Sequence, residues 1–469
     1  MSSLRSNEIE IPAGKPFDNC KLDREKYAKV LTQIIENYSD GFVLAINNKW
    51  GEGKTTFIKM WQKYLALPEN GYKVIYFNAW EHDFGQDPMA AILSEIKSLD
   101  IGNEDKLNGI IKKAAKLSIH AIPILLTAAA NKYIDSETFA EGIKKLSEKS
   151  IDAFQSEVDE YKKKKEGLDE FKKALEEYVV PLDKPVVFII DELDRCNPKY
   201  AVEVLEIIKH FFSVSGIVFI LSIDKEQLGN AIRGYYGSDL IKADEYLWRF
   251  IDLEYSIPKP SIDQFNKYLF ETYKFADFFT AERMGKHQFK NEPSTLLKMA
   301  NIVFDKRNAS LREQEKIFIL TRLLLFSFEK HQFVFPALFF LLVYLKTLKP
   351  DIFSKIERKY YSCQELSNEF FELFKSIEKS NDELNFAYVE ALLLWFYNNG
   401  MKHEQRLELL NNNGESITTP IKSKIDEAGN KGQLARAFSI ISNQYEFNHL
   451  NLKYLIKKIN LTEPLVFGR

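Results

Sequence analysis

A short run of glycine, lysine and threonine follows the first apolar segment of the chain. Phe42 to Ile46 are apolar, residues 51–56 read Gly-Glu-Gly-Lys-Thr-Thr, and a helix-compatible stretch comes next. Glycines let a backbone approach a phosphate group and turn its N–H groups toward it. Lys54 can supply a positive charge for the β- and γ-phosphates, and Thr55 a hydroxyl ligand for Mg²⁺. The spacing therefore predicts a strand, a phosphate-binding loop and a helix whose N-terminal dipole favours an anion.

The predicted nucleotide contacts cover this loop and the residues just before it. They are Asn48, Trp50, Gly51, Glu52, Gly53, Lys54, Thr55 and Thr56. The eight-residue form of the loop has glycine at the position of Asn48. Asparagine tolerates positive φ better than other non-glycine residues, so the turn can still close. The alternative, a chance Gly-Lys-Thr in an ordinary turn, is much less favoured because the strand, loop and helix patterns occur together.

Two adjacent carboxylates follow another apolar run. Residues 185–190 read Pro-Val-Val-Phe-Ile-Ile, and Asp191 and Glu192 come directly after them. A nucleoside triphosphatase needs a carboxylate at a strand end to hold Mg²⁺, and a neighbouring one to orient or deprotonate water. Asp191 fits the first role and Glu192 the second, so the predicted catalytic residues are these two with Lys54 and Arg195. The alternative is an acidic cap on the helix that follows.

Other polar residues after the apolar runs have two interpretations each. Arg195 can reach a γ-phosphate or simply pair with Asp194, and the sequence favours neither. Ser222 and Asp224 end the run Gly-Ile-Val-Phe-Ile-Leu-Ser-Ile-Asp. Such enzymes often place a group there that senses the γ-phosphate or aligns water, but a helix cap explains the same residues equally well.

Two later arginines, Arg249 and Arg312, are candidates for a sensor or an arginine finger. Most arginines form surface ion pairs, so either role is the less common outcome. Trp80 follows a third apolar run, Lys-Val-Ile-Tyr-Phe, together with Asn78. Sites in open α/β sheets gather at the carboxyl ends of strands, so the position suits function. A packing role is nevertheless the favoured interpretation for Trp80.

The composition restricts the class of protein. The chain has 469 residues, of which 45% are hydrophobic and 28% charged, as in ordinary globular proteins with two or three domains. Its formal net charge of -3 gives no electrostatic argument for nucleic acid as a partner. The three cysteines, Cys20, Cys196 and Cys363, lack metal-ligand spacing and favour a reducing compartment. No apolar secretory signal is visible at the amino terminus, so we expect a cytoplasmic protein.

The apolar runs predict an α/β fold, with a P-loop NTPase type of parallel sheet flanked by helices. Continuous runs such as residues 186–190 fit central strands that are buried on both faces. We expect residues 1–100 and 181–260 to form this core. Residues 101–180 should form a helical insertion between the two nucleotide motifs, and residues 261–469 an all-helical carboxyl-terminal region.

Two parts of the predicted insertion differ in character. Residues 117–130 form an apolar stretch of 14 residues that contains a proline. A membrane-spanning helix needs about 20 apolar residues, so a buried or interfacial helix is favoured. Residues 137–178 are highly charged and predict one or two amphipathic helices, with a hairpin turn near Gly167 as one option. A shorter apolar run at 333–345, also with a proline inside, is predicted to be a core helix.

Five sequence blocks, taken in order, resemble the KAP family of P-loop NTPases, in the STAND-related branch of additional-strand ATPases. They are Trp50 to Thr56, Phe77 to Trp80, Ile190 to Pro198, Val218 to Asp224 and Tyr246 to Ile251. The resemblance covers roughly residues 20–330. It implies that Lys54 and Thr55 are nucleotide and Mg²⁺ ligands and that Asp191 and Glu192 form the second acidic motif. Asn48 departs from the family's usual glycine, and Glu192 stands where many members have aspartate.

The resemblance also implies a function. It suggests ATP and Mg²⁺ as ligands, ATP hydrolysis that drives a conformational switch, and a homo-oligomer or a complex with partner proteins. Bacterial members are linked to exclusion of, or defence against, phage. Family members typically have transmembrane helices between the nucleotide motifs, and the short run at 117–130 favours a member without them. Two alternatives stay open: a scaffold that holds nucleotide without turnover, and a protein of the membrane surface. The sequence does not distinguish ATP from GTP.

Overall fold

Five apolar segments form one parallel sheet in the computed structural model of the chain. They are β1 (Val43–Asn47), β2 (Val74–Asn78), β3 (Val186–Asp191), β4 (Ile217–Ile223) and β5 (Leu253–Tyr255). The order across the sheet is β2-β3-β4-β1-β5, and every neighbouring pair is parallel. β4 is therefore an additional strand between β1, which leads into the predicted phosphate loop, and β3, which ends at the acidic pair. The predicted P-loop type of α/β fold is confirmed.

The structure describes residues 9–38, 41–85, 87–99, 104–118, 151–211, 213–304, 309–374, 383–412, 416–424, 432–444, 447 and 449–461. Between Lys259 and Pro260 the chain divides into two compact units. The unit before this division contains the parallel sheet and is called the sheet unit below. The unit after it is called the carboxyl-terminal unit.

Helices cover both faces of the sheet. Those of the sheet unit are α1 (Glu25–Asn37), α2 (Lys54–Leu65), α3 (Ala79–His82), α4 (Pro88–Lys97), α5 (Glu104–Ser118), α6 (Ile151–Val179), α7 (Pro198–Phe211), α8 (Lys225–Tyr236) and α9 (Ala243–Leu247). Residues of α1 and α2 pack with Leu44 and Ile189 on one face, and residues of α4 and α7 pack with Ala45 and Phe188 on the other. Every residue of β3 and β4 is consequently buried, which explains their continuous apolar sequences.

The predicted insertion contains two antiparallel helices, α5 and α6. Lys113 Nζ lies 3.6 Å from Glu170 Oε2, and Lys106 Nζ donates to the Glu177 carbonyl at 3.4 Å. Helix α6 continues through Gly167 without interruption, so the hairpin turn predicted there is wrong. A single glycine costs a helix only about 1 kcal/mol, which the packing of a long amphipathic face can exceed.

The apolar stretch at 117–130 lies outside the described residues, except for the backbone of its first two positions. The start of the charged amphipathic region, residues 137–150, also lies outside them. Of the helices that the structure does describe, none is both long enough and apolar enough to cross a membrane.

The carboxyl-terminal unit is built mainly from helices. They are α10 (Ile262–Thr272), α11 (Ala281–Met284), α12 (Glu292–Val303), α13 (Leu311–Leu325), α14 (Pro336–Leu348), α15 (Pro350–Glu357), α16 (Cys363–Phe374), α17 (Glu383–Asn399), α18 (Gln433–Ser442) and α19 (Lys453–Asn460). One short antiparallel pair, β6 (Asn411–Asn412) and β7 (Ile417–Thr418), accompanies them. All residues of α14 from Pro336 to Leu345 are buried, so the apolar run is a core helix whose proline occupies the first turn.

Candidate nucleotide-binding site

The loop between β1 and α2 turns at its two glycines. Gly51 has a φ of 80° and Gly53 a φ of 76°, both in the left-handed region that favours glycine. Gly53 is the N-cap of α2, and a Cβ at this position would lie 2.9 Å from the Arg24 guanidinium. Conformation and space therefore both require glycine. The loop leads into the amino end of a 12-residue helix, where an anion is favoured.

The Lys54 side chain folds back across this loop. Its Nζ donates to the carbonyl oxygen of Asn48 at 2.8 Å, and the residue is only 8% exposed. The hydrogen bond holds the ammonium group over the loop, where a phosphate bound by the loop N–H groups would meet a positive charge. Thr55 and Thr56 follow in the first turn of α2 and are partly exposed. The structure thus brings the predicted loop residues together in one turn.

Arg24 supports the loop from behind and was missed by sequence reasoning. Its two terminal nitrogens donate to the carbonyl oxygens of Gly53 and Glu52, each at 2.9 Å. Burial lowers the pKa of Arg24, which nevertheless remains charged because arginine deprotonates only at very high pH. The surrounding sequence reads as an ordinary polar helix start, so no local signal distinguishes Arg24 from a surface arginine.

Asn48 anchors the loop to the chain that follows β5. Its φ is not in the left-handed region, so tolerance of positive φ is not the reason for asparagine here. Instead its side-chain Oδ1 accepts from the Ile257 N–H and its Nδ2 donates to the Ile257 carbonyl, both at 2.9 Å. Nδ2 also lies 3.2 Å from Glu52 Oε2, and Glu52 pairs with Lys259 at 2.8 Å. Glycine at this position would lose the Ile257 contacts.

Asp191 is fully buried at the end of β3, and both of its carboxylate oxygens accept hydrogen bonds. Oδ2 accepts from the Tyr76 hydroxyl at 2.9 Å, and Oδ1 accepts from the Glu192 N–H at 3.0 Å. Burial, together with the Asp191 charge, raises the pKa of Tyr76, so its hydroxyl remains a donor. In the sheet register Asp191 stands between Asn78 of β2 and Ser222 of β4. The carboxylate is therefore held in a fixed orientation.

Glu192 follows in a left-handed conformation with a φ of 61°, which residues with a Cβ rarely adopt. This turns the chain sharply into a short 3₁₀ segment, Leu193–Arg195. The Glu192 carboxylate lies 3.3 Å from Arg195 Nη1. Burial raises the pKa of Glu192, and the Arg195 charge opposes that shift. Backbone strain of this kind is concentrated at functional sites, where it aims a side chain.

Trp50 connects the loop to the ends of two strands. Its indole Nε1 donates a hydrogen bond to the Asp194 carboxylate, and its backbone N–H donates to Asp224 Oδ2 at 3.1 Å. Burial raises the pKa of Asp194, while the Lys54 charge and the Trp50 hydrogen bond lower it. The phosphate loop and the acidic end of β3 therefore touch directly, with Lys54 close enough to influence Asp194.

The two candidates at the end of β4 behave differently. Asp224 caps α8 by accepting from the Gln227 N–H at 3.4 Å, in addition to its contact with Trp50. Asp224 is therefore a helix cap whose carboxylate also lies beside the phosphate loop, and its role as a γ-phosphate sensor stays a prediction. The Ser222 hydroxyl is completely buried and has no hydrogen-bond partner among the described residues.

Arg195 pairs with Glu192, so the predicted alternative of a pair with Asp194 is wrong. Its guanidinium carbon lies 6.0 Å from the ring centroid of Trp50 and 5.7 Å from that of Trp80. Trp80 is 53% exposed, so its predicted packing role is also wrong. Trp80 lies on the four-residue helix α3, and its indole stands beside the Arg195 cation.

The two later arginines lie in other parts of the molecule. Arg249 lines a cavity of about 500 Å³ next to Val43, the first residue of β1. Since β1 runs from Val43 toward the phosphate loop, Arg249 is at the opposite edge of the sheet. Arg249 therefore lies away from the phosphate loop of its own chain, and its role as a sensor or finger stays a prediction. Arg312 is exposed in the first turn of α13 and belongs to the carboxyl-terminal unit.

The carboxyl ends of β1, β3 and β4 bring together a loop lysine, a buried aspartate and a strained glutamate. A model of the KAP family P-loop domain matches residues 24–321, which include all five strands and every residue of this edge. The chain belongs to the KAP family of P-loop NTPases. The family match begins at Arg24, the residue that supports the loop from behind.

A curated relative and two solved structures show more distant similarity. The Phage T7 exclusion protein of Escherichia coli (strain K12) is 21% identical over 238 residues, which are 46% of this KAP-family chain and 30% of that protein. The chain thus spans less than a third of the length of that relative. The structure of the Aeropyrum pernix ORC2 protein aligns with this chain at a TM-score of 0.33 and 15% sequence identity. The alignment covers 89% of this chain and 94% of the ORC2 chain. The structure of C. elegans PCH-2 aligns at a TM-score of 0.29 and 14% sequence identity. That alignment covers 71% of this chain and 70% of the PCH-2 chain. At such TM-scores neither structure carries an argument about this chain.

Proposed function

We propose that this KAP-family protein is a switch that binds ATP with Mg²⁺ and hydrolyses the nucleotide. The observation that carries the proposal is the direct contact of the phosphate loop with the acidic strand end, through the hydrogen bond from Trp50 to Asp194. This contact fixes the loop and its Lys54 relative to Glu192. Phosphoryl transfer depends mainly on such positioning and on electrostatic stabilisation.

The residues at this edge fit the Mg²⁺ ion that the fold family implies. Thr55 offers a hydroxyl and Asp191 a carboxylate, and Mg²⁺ prefers hard oxygen ligands. Each carboxylate oxygen of Asp191 accepts one hydrogen bond, which leaves lone pairs for a bound water. Ser222, whose hydroxyl has no hydrogen-bond partner among the described residues, lies next to Asp191 in the register of β3 and β4. In the described part of the chain no three His, Cys, Asp or Glu side chains form a metal cluster, but Mg²⁺ at a triphosphate needs only one or two protein ligands. Thr55 and Asp191 would hold the ion, which when bound neutralises phosphate charge.

Glu192 is the proposed base in this reaction. It takes a proton from water as the water oxygen bonds to the γ-phosphorus, and the bond from that phosphorus to the β–γ bridging oxygen breaks. The products are ADP and inorganic phosphate. Because burial raises the pKa of Glu192, its carboxylate is a better proton acceptor than an exposed glutamate. Lys54 and Arg195 supply positive charge for the negative charge that develops on the phosphate oxygens.

The similarity to the Phage T7 exclusion protein supports a role in bacterial defence against phage. In this proposal residues 1–100 and 181–260 form the NTPase core. Hydrolysis changes how the insertion (101–180) or the carboxyl-terminal region (261–469) engages its partners in the cytoplasm. Those partners are further copies of the chain or other proteins of a defence complex.

Glu192→Gln tests the hydrolysis step, because it removes the proton acceptor and keeps the side-chain shape. We expect phosphate release to fall about 100-fold or more, the usual contribution of a general base, while ATP affinity measured by calorimetry stays nearly constant. Glu203→Gln is a matched control, since burial also raises the pKa of Glu203 and this residue lies on α7. Equal phosphate release by wild type and Glu192→Gln would remove Glu192 from the mechanism.

One observation favours a second function, in which nucleotide is held without turnover. Glu192 is paired with Arg195, and an ion-paired carboxylate is a weaker proton acceptor for water. The nucleotide would then be a ligand for assembly of a scaffold. ATP-dependent growth in oligomer size, measured by light scattering with no phosphate release, would establish this second function. Glu192→Gln should then assemble as the wild type does.

A further inference from the structure

A second concentration of charge lies in the carboxyl-terminal unit, far along the chain from the phosphate loop. A cavity of about 730 Å³ is formed there by the end of α15, the end of α17 and the length of α19. Four cationic side chains line it: Lys359, Arg406, Lys453 and Lys457. This space is called the basic cavity below. Its volume lies within the range of cavities that bind small molecules.

The positive charges of the basic cavity are poorly compensated. Among the described lining residues Glu357 is the single carboxylate, and its Oε1 already accepts from Asn460 Nδ2 at 2.8 Å. In the part of the chain that the structure describes, Lys359, Lys453 and Lys457 form no ion pair with a carboxylate. Burial lowers the pKa of Lys359, and the charges of Lys453 and Arg406 lower it further. These cations are therefore close enough to repel one another.

Local structural roles account for two of these cations. Arg406 donates to the carbonyl oxygens of Asn399 at 2.7 Å and Met401 at 3.1 Å, so it caps the carboxyl end of α17. Lys457 lies in the last turn of α19, where the helix dipole favours a cation, whereas Lys453 is the first residue of that helix, where the dipole disfavours one. A structural role of this kind therefore leaves Lys359 and Lys453 unexplained.

The backbone around Lys359 places its ammonium group in the basic cavity. Lys359 has a φ of 56°, a left-handed conformation that is uncommon for lysine. Its Nζ lies where a Cβ on Gly400 would be 3.0 Å away, so the glycine at the end of α17 leaves room for the ammonium group. This conformation ends α15 in the usual left-handed way, with the Tyr360 N–H donating to the Lys355 carbonyl at 2.9 Å, and the glycine leaves room for the Lys359 side chain.

We propose that the basic cavity binds a small, phosphate-bearing anion. None of its four cations has a carboxylate partner among the described residues, so a multiply charged phosphate compound supplies the matching negative charge. The concave shape and limited volume fit a soluble compound of nucleotide size better than an extended polymer.

Calorimetric titration with inorganic pyrophosphate tests this proposal. All proteins carry Lys54→Ala, so that the phosphate loop is weakened as a competing site. We expect the parent to bind pyrophosphate, and the added pair Lys359→Ala and Lys453→Ala to weaken binding at least about tenfold, from the loss of two charge-assisted contacts. The matched pair Lys286→Ala and Lys290→Ala removes the same charge from exposed positions in the same unit and should change affinity less than about twofold.

Melting temperatures and sedimentation with lipid vesicles distinguish loss of the binding site from unfolding and from membrane binding. The melting temperatures of both double variants should be similar, because all four lysines are exposed. Absence of pyrophosphate binding by the parent, or equal weakening by both pairs, would overturn the proposal. Sedimentation with phosphatidylglycerol vesicles in the absence of pyrophosphate binding would replace the small-molecule site by a membrane contact, and would overturn it as well.

Discussion

The nucleotide-binding edge of the sheet and the basic cavity both concentrate charge, but they do so in opposite ways. At the sheet edge, Lys54 and Asp194 have opposite signs, and hydrogen bonds within the same site hold them. In the basic cavity, Lys359 and Lys453 have the same sign and lack carboxylate partners within the described chain. The first arrangement is neutralised by groups of the protein itself, whereas the second is the one for which we propose an anion.

Lys54→Ala should have the largest effect at the sheet edge. We expect ATP affinity to fall about 100-fold, because losing a buried charged contact costs about 2–5 kcal/mol. Calorimetry with ATP measures the change. Lys49→Ala is the control, since Lys49 is in the same loop but 75% exposed and paired loosely with Glu226. Similar affinities for the two variants would show that Lys54 does not contact the nucleotide.

Glu292→Ala tests a third arrangement, a buried pair of purely structural type. Glu292 accepts two hydrogen bonds from Arg283, and both side chains are almost completely buried. Removing the carboxylate leaves a buried cation, so we expect a loss of about 3–5 kcal/mol in the unfolding free energy of the carboxyl-terminal unit. Denaturant unfolding measures it. Glu282→Ala, which breaks an exposed pair with Lys330, should cost less than about 1 kcal/mol. A similar loss of unfolding free energy in Glu292→Ala and Glu282→Ala would contradict the distinction between a buried and an exposed ion pair.

Arg24→Ala should weaken ATP binding about tenfold without direct contact with the nucleotide. The variant removes two hydrogen bonds to the loop carbonyls of Glu52 and Gly53, and charged hydrogen bonds are worth about 1.5–3 kcal/mol each. Arg24→Lys should restore part of the affinity, because an ammonium group can reach one of the carbonyls. A lower melting temperature with unchanged ATP affinity would reduce Arg24 to a purely structural residue. Lys26→Ala, on the exposed side of α1, is the control.

Arg195→Ala should lower the rate of phosphate release, because Arg195 supplies positive charge for the phosphate oxygens, and should also shift the pH profile of that release by a small amount. The base must be deprotonated, so the rate falls as pH drops through the pKa of Glu192, which lies above its ordinary value of 4.5. Arg195 lowers that pKa, and its removal should therefore move the acid limb to higher pH. Lys199→Ala, which breaks a pair with Glu203 on α7, should leave the limb in place. An unchanged limb in Arg195→Ala would exclude Glu192 as the titrating group.

Sequence patterns predicted the strands well because the central strands are buried on both faces. The runs at 186–190 and 217–221 contain only apolar residues, and every one is buried in the structure. Placing Lys54 and Asp191 at one edge followed from the rule that parallel strands share their carboxyl ends. The order of the strands in the sheet could not be predicted, because the sequence of β4 does not indicate that it lies between β1 and β3.

The remaining details depend on contacts between distant parts of the chain. Arg24 reaches a loop 29 positions later, and Asn48 binds a backbone 209 positions later, and neither contact leaves a periodic signal. The hairpin expected at Gly167 failed because glycine weakens a helix only slightly when tertiary packing supports it. The packing role predicted for Trp80 was wrong because burial depends on which distant residues pack against α3, and the sequence around Trp80 does not show them.

Trp50, the residue that joins the phosphate loop to Asp194, also makes the site optically observable. Of the five tryptophans in the chain, Trp50 and Trp80 flank Arg195 at 45% and 53% exposure, whereas Trp61 is completely buried in α2. Indole emission responds to the polarity and charge around the ring, so nucleotide entering the loop should change the intrinsic fluorescence of the protein. Trp50→Phe should remove most of that change, which would allow binding to be followed in real time without an attached dye.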